Sequence, residues 1–113
     1  TVKKIKKLNS KNNIYASIGP CISKKSYEVD LNFYKKFLNR SKKNKKYFFP
    51  KHKNKKFFDL RKLAADRLTK LKVKIDHIKH DTYGEKANFF SYRRSCKLKQ
   101  SDYGRCISVI RLI

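Results

Sequence analysis

Apolar residues in the first turns of the chain, Val2, Ile5 and Leu8, recur at three-residue spacing and predict the end of an amphipathic helix. Residues 9–13 are polar and read as a turn. Ile14 to Ile18 is a short apolar run, expected to be a strand, and Gly19-Pro20 stops it. Leu31, Tyr34, Phe37 and Leu38 form a second helical stripe, and the basic stretch from Ser41 to Lys46 reads as a loop. Tyr47-Phe48-Phe49 and Phe57-Phe58 are strand candidates, and the turn between them predicts a hairpin.

Asp59 is a credible N-cap for the most regular helix, whose apolar face carries Leu60, Leu63, Ala64, Leu68 and Leu71. Lys70, Lys72 and Lys74 suit its C-terminal end. Ile75 to Ile78 predicts a strand. Cys106 to Ile113 is apolar apart from Ser108 and Arg111, and reads as a strand buried on both faces. This order predicts a mixed α/β layer structure.

With 113 residues, 39% of them hydrophobic and 13% aromatic, the chain can build one small domain with a modest core, and wholesale disorder is not expected. No stretch has the length of a membrane span, and no secretory signal is visible. The chain lacks Met and enters what reads as mid-helix at Thr1, so a fragment or processed product is expected. Three cysteines without paired spacing, Cys21, Cys96 and Cys106, argue for a reducing compartment, here the cytoplasm.

The charge changes the picture more. Thirty-two basic residues against 8 acidic ones give +24, a balance that suits a polyanion partner. The excess is mostly lysine, which lacks the forked donors of arginine. Abundant Asn, Ile, Tyr and Phe also match the codon bias of an AT-rich genome. The expectation is weak, sequence-indifferent binding to polyanions.

Candidate chemistry lies in two segments. Gly19-Pro20-Cys21 leaves a strand through a turn where a backbone can approach a ligand, although an ordinary strand end reads the same way. Cys21 is either a nucleophile or ligand, or a small buried residue. Phe89-Phe90-Ser91-Tyr92-Arg93-Arg94 interleaves aromatics with a hydroxyl and paired guanidinium groups. It can present arginine to a phosphate or carboxylate, or be an edge strand with a solvated basic end. If extended, Phe90, Tyr92 and Arg94 share one face and Arg93 points to the other. His77 and His80 are poorly spaced for joint metal binding on a strand, and no CxxC, HxH or HExxH pattern occurs, so no complete metal site is expected.

Several pieces then occur in a specific order: Ile18-Gly19-Pro20-Cys21-Ile22, Tyr27-Glu28-Val29, Phe58-Asp59-Leu60, Ala64-Ala65-Asp66-Arg67-Leu68, Asp81-Thr82-Tyr83, Phe89 to Arg94, and Gly104-Arg105. From about Tyr15 to Leu112 the chain resembles the C-terminal portion of the laccase-domain (multicopper polyphenol oxidase-like) purine nucleoside phosphorylases. The resemblance implies a layered α/β sandwich of mixed sheet and helices, with residues 1–113 forming the C-terminal part of a single domain. It implies phosphorolysis of adenosine, inosine or methylthioadenosine to base and ribose 1-phosphate, with adenosine deamination as a possible second activity. It implies a zinc ion, copper in older naming, held by two His and one Cys in an N-terminal half upstream of Thr1. The fragment is therefore expected to be inactive alone and to need that half as its partner. Phosphate or nucleoside contacts are expected on Arg94, Arg93, Ser91, Tyr92, Phe90, Gly19, Pro20 and Cys21. Two departures stand out: Asp81 where the family usually has Cys, and a longer loop over 95–103. The rival readings are a basic nucleic-acid-binding module centred on Lys42 to Lys56, a copper-dependent polyphenol oxidase, and a structural fragment without catalysis.

Overall fold

The structure, a computed structural model, describes residues 1–8 and 13–111. Most of the turn expected over 9–13 and the last two residues of the expected C-terminal strand lie outside them. The elements run α1 (Val2–Leu8), β1 (Tyr15–Ile18), β2 (Glu28–Asp30), α2 (Leu31–Arg40), a 3-10 helix (Lys42–Tyr47), β3 (Phe48–His52), β4 (Lys55–Phe58), α3 (Leu60–Lys70), β5 (Lys74–His77) and α4 (Tyr92–Lys97). The α/β class expected from the sequence is the class observed.

The strands form two sheets. β2, β4 and β3 make an antiparallel sheet in which Glu28 faces Phe57 and Phe48 faces Phe58. β1 and β5 pair in parallel, from Tyr15 opposite Lys74 to Ile18 opposite His77. The antiparallel sheet and α2 are built by aromatic packing. Phe58 is 1% exposed and meets the rings of Phe33, Phe37 and Phe48 at centroid distances of 5.3, 5.2 and 4.9 Å. Val29, Tyr47 and Leu63 complete this core. Truncating such a buried Phe to Ala typically removes about 3–5 kcal/mol.

Local chemistry sets the helix starts. Asp30 and Asp59 each accept a hydrogen bond from the third residue onward, Phe33 N–H at 2.7 Å and Lys62 N–H at 2.9 Å. α3 ends with Val73 N–H on the Leu68 carbonyl and Lys72 N–H on the Thr69 carbonyl, with Lys72 at φ 53°. α4 ends the same way: Gln100 N–H bonds the Ser95 carbonyl, Lys99 N–H the Cys96 carbonyl, and Lys99 has φ 53°. Both are Schellman turns with lysine where glycine is usual.

Four expectations are corrected. The stretch from Ser41 to Lys46 is mostly 3-10 helix rather than loop, capped where Phe48 N–H reaches the Lys45 carbonyl. The hairpin strands extend to His52 and from Lys55, which shortens the turn to Lys53-Asn54. The segment ending in Arg93-Arg94 is not extended: Ser91 caps α4, so both arginines are helical. Residues 106–110 form no strand, and Ile107, Val109 and Ile110 are 81–89% exposed, because among the described residues none pairs with this backbone or covers these side chains.

Candidate functional site

The parallel pair places the site. Its ladder continues past the strands: Ile78 N–H bonds the Ile18 carbonyl, and Cys21 bridges to Asp81. Gly19-Pro20-Cys21 and the loop beginning at His80 therefore leave the carboxyl ends of β1 and β5 together. In open α/β sheets this is where ligands bind.

Asp81 ties the two exits. Its carboxylate accepts the Ser23 N–H at 3.1 Å, the Ser23 hydroxyl at 2.7 Å, the Ser26 hydroxyl at 2.8 Å and the Tyr83 N–H at 3.0 Å. Burial pushes this carboxyl up, but the donors outweigh it and hold it down at about 2. Glu85 adds a second tie. It accepts the Asp81 N–H at 2.9 Å and meets His80 Nδ1 at 2.8 Å. The Asp81 N–H, against some burial and with help from His80, lowers its carboxyl below the usual range.

Arg94 then fixes the rest of the loop. Its Nη1 donates to the carbonyls of Thr82 at 2.9 Å and Tyr83 at 2.8 Å, and its Nη2 to that of Phe89 at 2.5 Å. Arg61 does the same for the His80 carbonyl at 2.7 Å. Phe90, Ser91 and Arg94 line one cavity of about 370 Å³, joined by Lys86 and Tyr103. Gly104 closes it: a Cβ there would lie 2.4 Å from the Phe90 ring, so only glycine lets the ring lie so close.

Arg93 points elsewhere. On a helix, neighbours differ by about 100°, so the two side chains separate as the strand reading expected but for another reason. Arg93 donates to the Glu28 carbonyl at 2.5 Å, and its guanidinium lies 4.8 Å from the Tyr27 ring centre. Tyr92 does not share the Phe90 and Arg94 cavity. It is 63% exposed and packs on Tyr103, with ring centres 4.9 Å apart. Gly19, Pro20 and Cys21 do not line the cavity either, but Thr82 N–H bonds the Cys21 carbonyl at 3.4 Å, one residue's link from Arg94. The sequence offers Asp81 as one member of the ordered set and as a departure from the family, with no role assigned to it, and singles out neither Ser23, Ser26 nor Lys86. The serines flanking Lys24-Lys25 carry no local motif that would have exposed them.

Comparison with known proteins decides the family. A family model described as multi-copper polyphenol oxidoreductase laccase matches residues 1–113. The chain belongs to this family. A purine nucleoside phosphorylase of Rickettsia conorii is 39% identical over 100 residues, covering 87% of this chain and 42% of its own length. One of Rickettsia prowazekii is 37% identical with the same coverage, and one of Haemophilus influenzae is 35% identical over 101 residues. The chain thus spans about two-fifths of the length of the curated relatives it matches. Among solved structures, a Neisseria meningitidis protein superposes with a TM-score of 0.63 at 30% identity, over 69% of this chain and 33% of that one. The Bacillus licheniformis protein YfiH shares the fold, with a TM-score of 0.73 at 24% identity over 84% of this chain and 38% of its own.

The laccase family's description names copper, so the residues were tested against a metal. Among the described residues no three His, Cys, Asp or Glu side chains converge on one point. His80 is committed to Glu85, and Cys96 and Cys106 are exposed on separate segments. The donors among the described residues do not make a metal centre.

Proposed function

We infer that this chain forms the nucleoside- and phosphate-facing part of a purine nucleoside phosphorylase. The observation that carries this reading is the junction at the carboxyl ends of β1 and β5, where Arg94 holds the Thr82, Tyr83 and Phe89 carbonyls and opens a cavity with Phe90 and Ser91. The names of the bacterial relatives support it.

In phosphorolysis a phosphate oxygen attacks C1′ of the ribose while the bond to the purine nitrogen breaks. The electron pair leaves with the base, and ribose 1-phosphate forms. Such a step gains from cations that hold the dianion and from walls that hold the nucleoside in line. At this cavity Arg94 holds the loop in place through its three carbonyl contacts, Lys86 supplies charge, the half-exposed Phe90 ring supplies a stacking wall, and Ser91 supplies a hydroxyl. Gly19, Pro20 and Cys21 bring backbone close to the same junction, and Tyr92 with Tyr103 shapes its outer rim. Adenosine, inosine and methylthioadenosine are the substrates in this reading, with adenosine deamination as a further activity of the whole enzyme. In this reading a zinc or copper ion, if the whole enzyme holds one, is held by residues other than those lining this cavity.

The remainder of the domain is the partner this reading requires. Ile107, Val109 and Ile110 are all more than 80% exposed, an apolar run that calls for a covering surface. The unbridged cysteines fit a reducing cytoplasm. No helix among the described residues is long and apolar enough to cross a membrane.

One observation favours a second reading, polyanion binding. A groove of about 580 Å³ between the 3-10 helix and α3 is lined by Lys43, Lys46, Lys62, Arg67 and Lys70, with Asp66 as its only carboxylate.

The test is steady-state turnover of adenosine and inosine by the full-length protein, with and without phosphate. Phosphate-dependent release of base, weakened by Phe90→Ala through a higher KM, supports the reading. Turnover indifferent to phosphate contradicts it.

A further inference from the structure

We propose that a second concavity, formed by Lys25, Lys51, Arg93 and Lys97 around Ser26 and Tyr83, is the subsite for a phosphate dianion. This rests on the phosphorylase reading and locates its anion away from Arg94.

The cavity measures about 370 Å³. Its cations come from the turn before β2, from β3 and from α4, segments far apart in sequence. One carboxylate, Glu28, lies among them, and it is already paired with Lys51 and with Lys55. Lys25 and Lys97 have no carboxylate within ion-pair distance among the described residues. Arg93 spends one donor on the Glu28 carbonyl and stacks on Tyr27, which fixes its plane. A guanidinium carries about five N–H donors, so most of its fork stays available for a phosphate. Three cations are thus gathered in one hollow with no anion left to answer them. Collecting like charges is unfavourable unless an anion occupies the space.

The contrast with the neighbouring arginine makes the assignment. Arg94 donates to three carbonyls and is enclosed by its own loop, whereas Arg93 is exposed. The hollow also adjoins the reacting end of the fold. Ser26 donates to Asp81, and the Tyr83 carbonyl is held by Arg94. A dianion seated there lies beside the loop that leaves β5. Free phosphate and the phosphoryl group of ribose 1-phosphate present the same chemistry to these cations.

The experiment is calorimetric titration of the full-length protein with inorganic phosphate and, separately, with ribose 1-phosphate. Lys25→Glu/Lys97→Glu is compared with Lys43→Glu/Lys70→Glu, which removes the same charge from the remote groove. Thermal melting confirms that both variants fold. The expected result is at least a tenfold loss of affinity for one or both ligands in the first pair and less than a twofold change in the second. Loss for phosphate marks a substrate site, and loss for ribose 1-phosphate alone marks a product site. Unchanged binding of both ligands in the first pair overturns the proposal, and so do equal losses in the two pairs. Phosphate binding here without phosphorolysis would sink the phosphorylase reading and leave this site standing. Phosphorolysis with the affinities of the first pair unchanged would do the reverse.

Discussion

Ser23 gives Asp81 both its backbone N–H, at 3.1 Å, and its hydroxyl, at 2.7 Å. This pair joins segments 58 residues apart and locks the exits of β1 and β5 to each other. It also sets an acid limit. The folded carboxyl sits at about 2, below the unfolded value of about 3.9. Its stabilisation is complete above the unfolded value and is lost as pH falls toward the folded one. Denaturant melts between about pH 4 and pH 2 should therefore show a steeper acid loss in the wild type than in Asp81→Ala. At neutral pH that variant should be less stable by about 1–3 kcal/mol, because the Ser23 and Tyr83 N–H groups lose their acceptor. Parallel acid limbs for the two proteins would contradict the role given to Asp81.

Arg94 and Arg93 should part company on mutation. Arg94→Ala frees three carbonyls of one loop and should cost about 1.5–3 kcal/mol of stability. Arg94→Lys should not rescue it, since an ammonium lacks the planar fork. Arg93→Ala should change the melting temperature little and raise the phosphate concentration needed for half-maximal rate. Thermal melts beside phosphate saturation curves separate the two, and equal melting shifts would count against this division.

Lys72 and Lys99 sit at φ 53°, where a side chain is strained and glycine is not. Lys72→Gly and Lys99→Gly should each raise stability by about 0.5–1 kcal/mol, read by urea unfolding. Destabilisation by both would show that the lysine side chains contribute more than the backbone strain they impose.

Gly104→Ala should displace the Phe90 ring, because the new methyl group would sit 2.4 Å from it. The single variant should melt lower than wild type. Adding Phe90→Ala should recover part of that loss, a positive coupling of the kind double-mutant cycles detect. Simple additivity would mean the ring moves aside at no cost.

The fold was legible where pattern and capping agree. α3 announces itself by Asp59 and an apolar stripe, and the hairpin by paired aromatics around Lys53-Asn54. α4 was hidden because it is six residues long, lacks an apolar stripe and ends at Lys99 instead of glycine. β2 was hidden because its Glu28-Val29-Asp30 has a single apolar position, and tertiary pairing with β4 makes it a strand. The run from Cys106 misled for the opposite reason. Its composition suits a buried strand, but burial depends on neighbours that the described residues do not supply. At the site, the sequence pointed to Arg93, Arg94, Phe90 and Ser91. It could not show that Arg94 is occupied by carbonyls, nor that Lys25 and Lys97 meet Arg93, because both facts depend on how the loop over 80–91 folds back.

Phosphorolysis stands or falls on the identity of its products. The full-length protein, given inosine or adenosine in phosphate buffer, should release the base together with ribose 1-phosphate in equal amounts, detected by phosphorus NMR and chromatography. The rate should rise with phosphate and fall for Arg93→Ala. Free ribose in place of ribose 1-phosphate, or a rate unchanged when phosphate is removed, would contradict the account.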